Sequence, residues 1–350
     1  MANIVNVDPL KKILKQYSKN LFWVFGSNKI INKIANFQKT NILILMYHRV
    51  LPKSEIKNDY AYLTVELERF EKQIKNISQY YLPTSLKDFE KFKSHSSKRP
   101  RIIITFDDGY VDNMTYALPI LKKYNVPATI YISTSYPDGN GDVWWYEIID
   151  IVNDNQEICI IFDNHQYYFS LKNHQEKIDA GIKIINMFLS MDHIAQSRLL
   201  NAIRNSDKSL TKYCKHKYRS YNSLFLNWDE VRILSKEPLI TIGAHAHNHY
   251  NLSKLDRDVL IKEISHSKCR LEKETGISIE HFAYPFGGDG FVGKREYEIV
   301  KQLGFKTSVT TYSYKLKTTT SNFQLPRYAI SRFFDERNLE RGLHPKFWKN

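Results

Sequence analysis

The segment Ile102-Ile103-Ile104-Thr105-Phe106-Asp107-Asp108-Gly109-Tyr110 joins a short apolar run directly to two adjacent carboxylates and a glycine. Such a run, rich in β-branched residues, reads as a strand buried on both faces. Two neighbouring carboxylates repel, and burying both is costly without a cation or a shared proton. Side chains of neighbours diverge along a strand, but a turn at Gly109 lets both face one mouth. One carboxylate can then bind a metal while the other stays free as a base. A helix N-cap pair would use Asp and Gly in the same way, and the segment by itself leaves both readings open.

Similar runs recur along the chain. Asn41–Met46, Ala128–Ile132, Leu239–Ile242, His281–Tyr284 and Thr307–Thr310 read as further strands. Helical patterns lie around Leu67–Ile77, Tyr116–Tyr124, Asp256–Glu274 and Arg295–Leu303. Short buried strands alternating with helices imply an α/β fold on a parallel sheet, open or closed into a barrel. Residues 137–226 break the rhythm with a polar turn, the run Trp144-Trp145-Tyr146 and a mixed, charged, largely helical stretch. They read as an insertion, a suitable place for substrate recognition. The expected organisation is a leader at 1–38, a barrel at 39–136 and 227–335, and a tail at 336–350. In the leader, Leu10, Ile13, Leu14, Tyr17, Leu21 and Val24 recur at helical spacing between lysines. Such a helix packs on the main domain, or lies on an anionic membrane with Phe22, Trp23 and Phe25 at headgroup level.

With 42% hydrophobic and 25% charged residues in 350, the composition is that of an ordinary globular protein. No apolar run reaches the roughly 18 residues of a spanning helix, and no signal-peptide cleavage site is evident. A cytoplasmic location is expected, with peripheral contact at the inner membrane face as the second reading. Cys159, Cys214 and Cys269 are widely spaced, which excludes a disulfide framework and a thiolate zinc site. The net charge of +14 attracts nucleic acid, anionic lipid or anionic glycans. The sequence has no zinc finger, no RNA-binding aromatic signature and no long basic block, so no nucleic-acid partner is expected.

Three more segments place polar groups where strands end. Gly243-Ala244-His245-Ala246-His247-Asn248-His249 spaces three histidines at alternate positions. His245 and His249 share a face if the strand gives way to a helical turn. With one aspartate they form a set suited to zinc or another first-row metal, with positions open for water and substrate. His247 reads as a neighbour of the site, because ligation by all three would need an unusual bend. Tyr284-Pro285-Phe286-Gly287 is either an amide-exposing turn of the kind that stabilises an oxyanion, or a tight turn with aromatic packing. His48, in Met46-Tyr47-His48-Arg49-Val50, reads from its surroundings alone as structural. Tyr110, Tyr284, Trp144 and Trp145 are the aromatic candidates for substrate contact; packing within the fold is the alternative for the tryptophans.

Taken in order, these segments resemble the polysaccharide deacetylase family (carbohydrate esterase family 4, the NodB-homology family). Thr105–Tyr110 matches its TFDDG motif, His245 and His249 its paired histidines, and Ala283–Phe286 stands where the family has R-x-P-[YF]. Ala117–Tyr124, Val126–Thr129, Trp228–Val231 and Leu325–Arg327 are similar to flanking family segments. The likeness runs from about residue 41 to 330, outside the insertion. Met46–Val50 resembles the branch that includes poly-N-acetylglucosamine deacetylases.

The resemblance implies a distorted (β/α)7 barrel and a divalent metal, commonly Zn2+, on Asp108, His245 and His249. It implies Asp107 as base, the Phe286 amide as oxyanion donor and His48 as general acid. The reaction implied is hydrolysis of an N-acetyl amide on an amino sugar of a cell-surface glycan or of its nucleotide- or lipid-linked precursor. Ala246 and Ala283 depart from the pattern: a Ser/Thr and the arginine that orients the catalytic aspartate are missing. Arg327 is expected to take over from that arginine. Deformylation or O-deacetylation keeps the same chemistry on another acyl group, and an inactive glycan-binding homologue is the alternative from a different class.

Overall fold

In the computed structural model the apolar runs become the strands of one parallel sheet. The structure describes residues 42–56, 63–95, 97, 99–206, 221–314 and 316–330. The expected leader and tail lie outside the described residues, which form two compact units. One comprises the described residues of 142–221, the other those of 42–141 and 222–330.

In the larger unit, β1 (Ile42–Tyr47), β2 (Arg49–Leu51) and β3 (Thr64–Glu66) lead to helix α1 (Leu67–Tyr80), β4 (Leu82–Pro83) and β5 (Arg101–Phe106). A π-helical turn, Asn113–Ala117, opens α2 (Leu118–Tyr124), which is followed by β6 (Ala128–Ile132). The sheet runs β11-β10-β9-β6-β5-β1-β12, with β4 also paired to β5. Here β9 is Ile240–Ala244, β10 His281–Ala283, β11 Thr307–Val309 and β12 Tyr328–Ala329. The segment entering β12 closes the sheet. Leu325 bridges to Val309 of β11, while Tyr328 and Ala329 pair with Leu45 and Met46 of β1. The result is the distorted (β/α)7-type barrel expected from the resemblance, with β4 as an eighth strand on β5.

Side chains alternate across each strand, and the core divides accordingly. Leu43, Leu45, Ile102, Ile104, Ile130, Ile242 and Phe282 belong to the large cluster shared with the helices. Ile42, Ile44, Ile103, Tyr131, Ala283, Val309 and Leu325 form a separate, inner cluster. This alternation positions the site described below.

The smaller unit holds helix α3 (Trp144–Asp154), strands β7 (Glu157–Phe162) and β8 (His165–Ser170), and helices α4 (His174–Ser190) and α5 (His193–Asn205). The stretch is largely helical, as expected, and also holds an antiparallel hairpin that its composition does not announce. The hairpin's two-residue turn, Asp163-Asn164, has φ of 49° and 60°, the left-handed pair that matches strand twist. Trp144 and Trp145 are each 7% exposed, and Trp144 stacks on Phe188 at 4.3 Å between ring centroids. The apolar side of α3 uses them in packing within this unit, so they offer no free face to a sugar.

Helix α6 (Trp228–Ser235) returns the chain to the larger unit, where α7 (Arg257–Thr275) and α8 (Lys294–Gln302) alternate with the last strands. No helix among the described residues is long and apolar enough to cross a membrane.

Candidate metal centre and active site

Residues of the inner register continue past the strand ends into one mouth. Asp107 follows the parity of Ile103 and Thr105, His48 that of Ile42 and Ile44, and His245 that of Gly243. Arg327 follows Leu325 in the closing segment. The β1–β5 ladder ends at Tyr47↔Phe106, which sets His48 level with Asp107. The Asp107 amide donates to the Tyr47 carbonyl at 3.0 Å.

Asp108 has the wrong parity and reaches the mouth by a backbone reversal, with φ of 72° followed by 77° at Gly109. A Cβ on Gly109 would meet Ile132 at 3.3 Å, so the reversal is tight as well as left-handed. The histidine segment uses the same device. No helical turn forms after β9; Ala246 and His249 instead take φ of 60° and 55°, and these reversals bring His249 back beside His245. Phe286 is left-handed too, at 62°. Such conformations cost non-glycine residues of order 1–3 kcal/mol each and persist where the surroundings enforce them.

Asp108, His245 and His249 each present a donor atom within 4.8 Å of the others, and all three are buried. Asp108 Oδ1 lies 3.3 Å from Nε2 of both histidines. It is buried without an aligned hydrogen bond. His245 Nδ1 donates to the Ala283 carbonyl at 2.7 Å, so in the neutral ring the Nε2 lone pair faces the carboxylate. Lone pair against lone pair at that distance requires a proton or a cation between them. The donor set therefore fits a divalent metal, and two imidazoles with one carboxylate suit zinc. His247 stands apart: its Nδ1 is 2.8 Å from Thr134 Oγ1 and its ring packs edge-on against His266.

Asp107 is bound by Arg327, Nη1 to Oδ1 and Nη2 to Oδ2, both at 2.7 Å. The guanidinium is fully buried and also donates to the Thr310 carbonyl and Thr105 Oγ1. Burial pushes the Asp107 carboxyl up, but the Arg327 charge, aided by His245 and His48, brings it below the usual carboxylate range. Burial likewise raises Asp108, and the close approach of the His245 and His249 imidazoles more than reverses this, holding it well below that range. His245 is pushed down by burial and then raised overall by Asp108 and Asp107. His48 is lowered by burial, against the pull of Asp108 and Asp107.

Two aromatic candidates do not line the mouth. Tyr110 is fully buried and stacks on Phe225 at 4.7 Å. Tyr284 is also buried, with its hydroxyl 2.7 Å from Ser308 Oγ and donating to the Phe323 carbonyl. Both hold loops rather than expose a face to substrate. His48 and Phe286 are half-buried, and the Phe286 ring packs on that of His249 at 4.8 Å.

Glu263 is a site residue that the sequence reading did not single out. It accepts from the Asn248 amide at 2.9 Å and from Asn248 Nδ2 at 2.6 Å, clamping the residue between His247 and His249. Its signal was present: an acidic residue in the buried stripe Leu260, Glu263, Ile264, Ser267 and Leu271 of α7 needs a buried partner.

The sequence model for polysaccharide deacetylases matches residues 94–223 and 197–308. This chain belongs to the polysaccharide deacetylase family. A poly-beta-1,6-N-acetyl-D-glucosamine N-deacetylase of Staphylococcus epidermidis is 33% identical over 119 residues, which are 30% of this chain and 40% of that relative. A protein of the same name from Staphylococcus aureus is 25% identical over 223 residues, 59% of this chain and 73% of the relative. Among solved structures, the Streptococcus pyogenes deacetylase PplD superposes with a TM-score of 0.57 at 19% identity, over 87% of this chain and 98% of that one. A de-N-acetylase from Aggregatibacter actinomycetemcomitans gives 0.52 at 16%, over 86% and 99%. At these identities the structures establish the fold, a deacetylase barrel. Where the family pattern has arginine, this member has Ala283, whose carbonyl orients His245, while Arg327 from the closing segment holds Asp107.

Proposed function

We propose that this protein is a metal-dependent hydrolase that removes the N-acetyl group from an N-acetylglucosamine residue of a glycan. The observation that carries the reading is the buried Asp108–His245–His249 donor set with the Arg327-bound carboxylate of Asp107 beside it. A divalent cation bound there, zinc by the chemistry of its donors, supplies Lewis acidity to the acetyl carbonyl and acidifies water.

The chain's own residues supply the remainder. Asp107, kept ionised by Arg327 and outside the donor set, takes a proton from water as its oxygen adds to the acetyl carbon. The Phe286 amide, in its left-handed turn, faces the carbonyl oxygen as that oxygen gains charge. His48, level with Asp107 across the β1–β5 ladder, gives a proton to the departing nitrogen as the C–N bond breaks. Acetate and a free amino sugar result. Burial favours neutral His48 in the free protein, and the negative charge of the tetrahedral adduct favours its protonated form during turnover. The names of the staphylococcal relatives support a β-1,6-linked N-acetylglucosamine chain as the first substrate to try.

The test is acetate release from β-1,6-linked N-acetylglucosamine oligomers by zinc-loaded protein. Release should stop with a chelator, return with zinc, and be lost in Asp107→Asn and Asp108→Asn. Zinc-loaded protein that releases no acetate from any N-acetylated oligomer, yet cleaves formyl amides or O-acetyl esters, would overturn the N-acetyl assignment. Turnover undiminished in Asp108→Asn would overturn the metal site.

A further inference from the structure

His48 is the single residue between β1 and β2, and the ladder of β1 with β5 ends one position before it. Its backbone is held instead by two consecutive side chains from the segment that carries Asp107 and Asp108. Asn113 Nδ2 donates to the His48 carbonyl at 2.8 Å. Asp112 Oδ1 accepts from the Val50 amide at 2.9 Å, and Oδ2 from Arg49 Nε at 2.8 Å. The Arg49 guanidinium lies over the Tyr110 ring at 4.9 Å, while Asn113 Nδ2 also reaches Asp112 Oδ1 at 3.3 Å. Asp112 and Asn113 are 2% and 1% exposed. Residues 48, 49 and 50 are thus each tied to this pair where the chain enters the π-helical turn Asn113–Ala117. Such turns widen the helix locally and often accompany functional sites.

We propose that Asp112 and Asn113 are positioning residues for proton delivery, fixing the His48 backbone so that its imidazole meets the departing nitrogen. This rests on the assignment of His48 as the acid. One short segment, 107–113, then sets base, metal ligand and acid together, and an error in the acid's position costs the step that needs its proton. Support of β2 and β3 alone is the competing account. It predicts equal losses on every substrate.

The test uses leaving groups. Full-length, zinc-loaded wild type, Asn113→Ala, the milder Asp112→Asn, and His48→Ala are compared on an N-acetylglucosamine oligomer and on 4-nitrophenyl acetate. The phenolate leaves without a proton, whereas the amine does not. The ratio of amide to ester kcat/KM should fall by roughly 100–10,000-fold in His48→Ala, the usual range for general acid catalysis, and by roughly 10–100-fold in Asn113→Ala and Asp112→Asn, as misplacement of the acid does. Zinc content should be retained, and Asn113→Ala added to His48→Ala should lower the ratio no further. Amide and ester rates falling together, or an unchanged amide rate, would overturn the positioning role. An unchanged ratio in His48→Ala itself would overturn the acid assignment beneath it, an outcome read from that variant alone.

Discussion

Arg327 holds Asp107 through two parallel hydrogen bonds, each 2.7 Å, from a guanidinium with no exposed surface. Lysine would carry the charge without the fork. Arg327→Lys should therefore retain zinc and lose kcat by roughly 10–100-fold, since an ångström of misplacement is worth about that much. Arg327→Ala leaves a buried carboxylate unpaired and should cost about 3–5 kcal/mol in urea unfolding. Full activity in Arg327→Ala would show that the pair does not orient the base.

Most of the barrel was legible because its strands are short, apolar and buried on both faces, a pattern that survives without tertiary context. The inward positions of His48, Asp107, His245 and Arg327 follow from counting by twos from the inner core. Asp108, His249 and Phe286 do not, since each depends on a left-handed residue and local sequence only hints at such reversals. The expected helical turn at His245–His249 failed for this reason. The hairpin at 157–170 was hidden inside charged text, and its Asp163-Asn164 turn lacks the glycine of the common hairpin signals, although both residues tolerate the left-handed conformation. Tyr110, Tyr284, Trp144 and Trp145 had the chemistry to stack on sugars, but composition cannot tell a ring that lines a cleft from one that fills a core.

Gly243 lies in β9 directly before the histidine segment. A Cβ there would fall 2.4 Å from the Tyr131 ring and 3.0 Å from the His281 carbonyl, and the Tyr131 ring lies 5.8 Å from the Arg327 guanidinium. Gly243→Ala should destabilise the protein by about 1–3 kcal/mol, as overpacking does, and disturb Arg327 through Tyr131. Differential scanning calorimetry checks the first effect. An unshifted melting temperature would mean that the inner core yields more readily than its packing implies.

Glu263 acts on the metal site through Asn248. Gln in its place would turn an amide donor toward one of the two Asn248 donors, freeing the turn that keeps His249 left-handed. Zinc affinity in Glu263→Gln should fall by roughly 10–100-fold, the usual cost of losing an outer-sphere partner. Chelator competition measures it. Unchanged affinity would assign Glu263 to helix packing alone.

Glu147 gives the inserted unit its own dependence on pH. Its carboxylate is 6% exposed and takes hydrogen bonds from Arg204 Nε at 2.8 Å and Nη2 at 3.0 Å. Burial pushes it from 4.5 up to about 7; Arg204 opposes the rise, while Asp142 and Asp150 add to it. The folded unit thus keeps a proton that the unfolded chain releases, and stability is greatest below pH 4.5 and falls as pH rises toward 7. At about 1.4 kcal/mol per unit, the loss over that window is at most roughly 3 kcal/mol. Glu147→Gln should flatten this part of the profile, because a neutral amide neither gains nor loses a proton there. Urea midpoints between pH 4.5 and 7.5, followed by tryptophan fluorescence, give the comparison, since Trp144 and Trp145 are buried in the same unit. The difference between the two proteins isolates Glu147 from every other titrating group. Parallel profiles would mean that Arg204 keeps Glu147 ionised throughout, with the pair acting as a permanent ion bridge between α3 and α5.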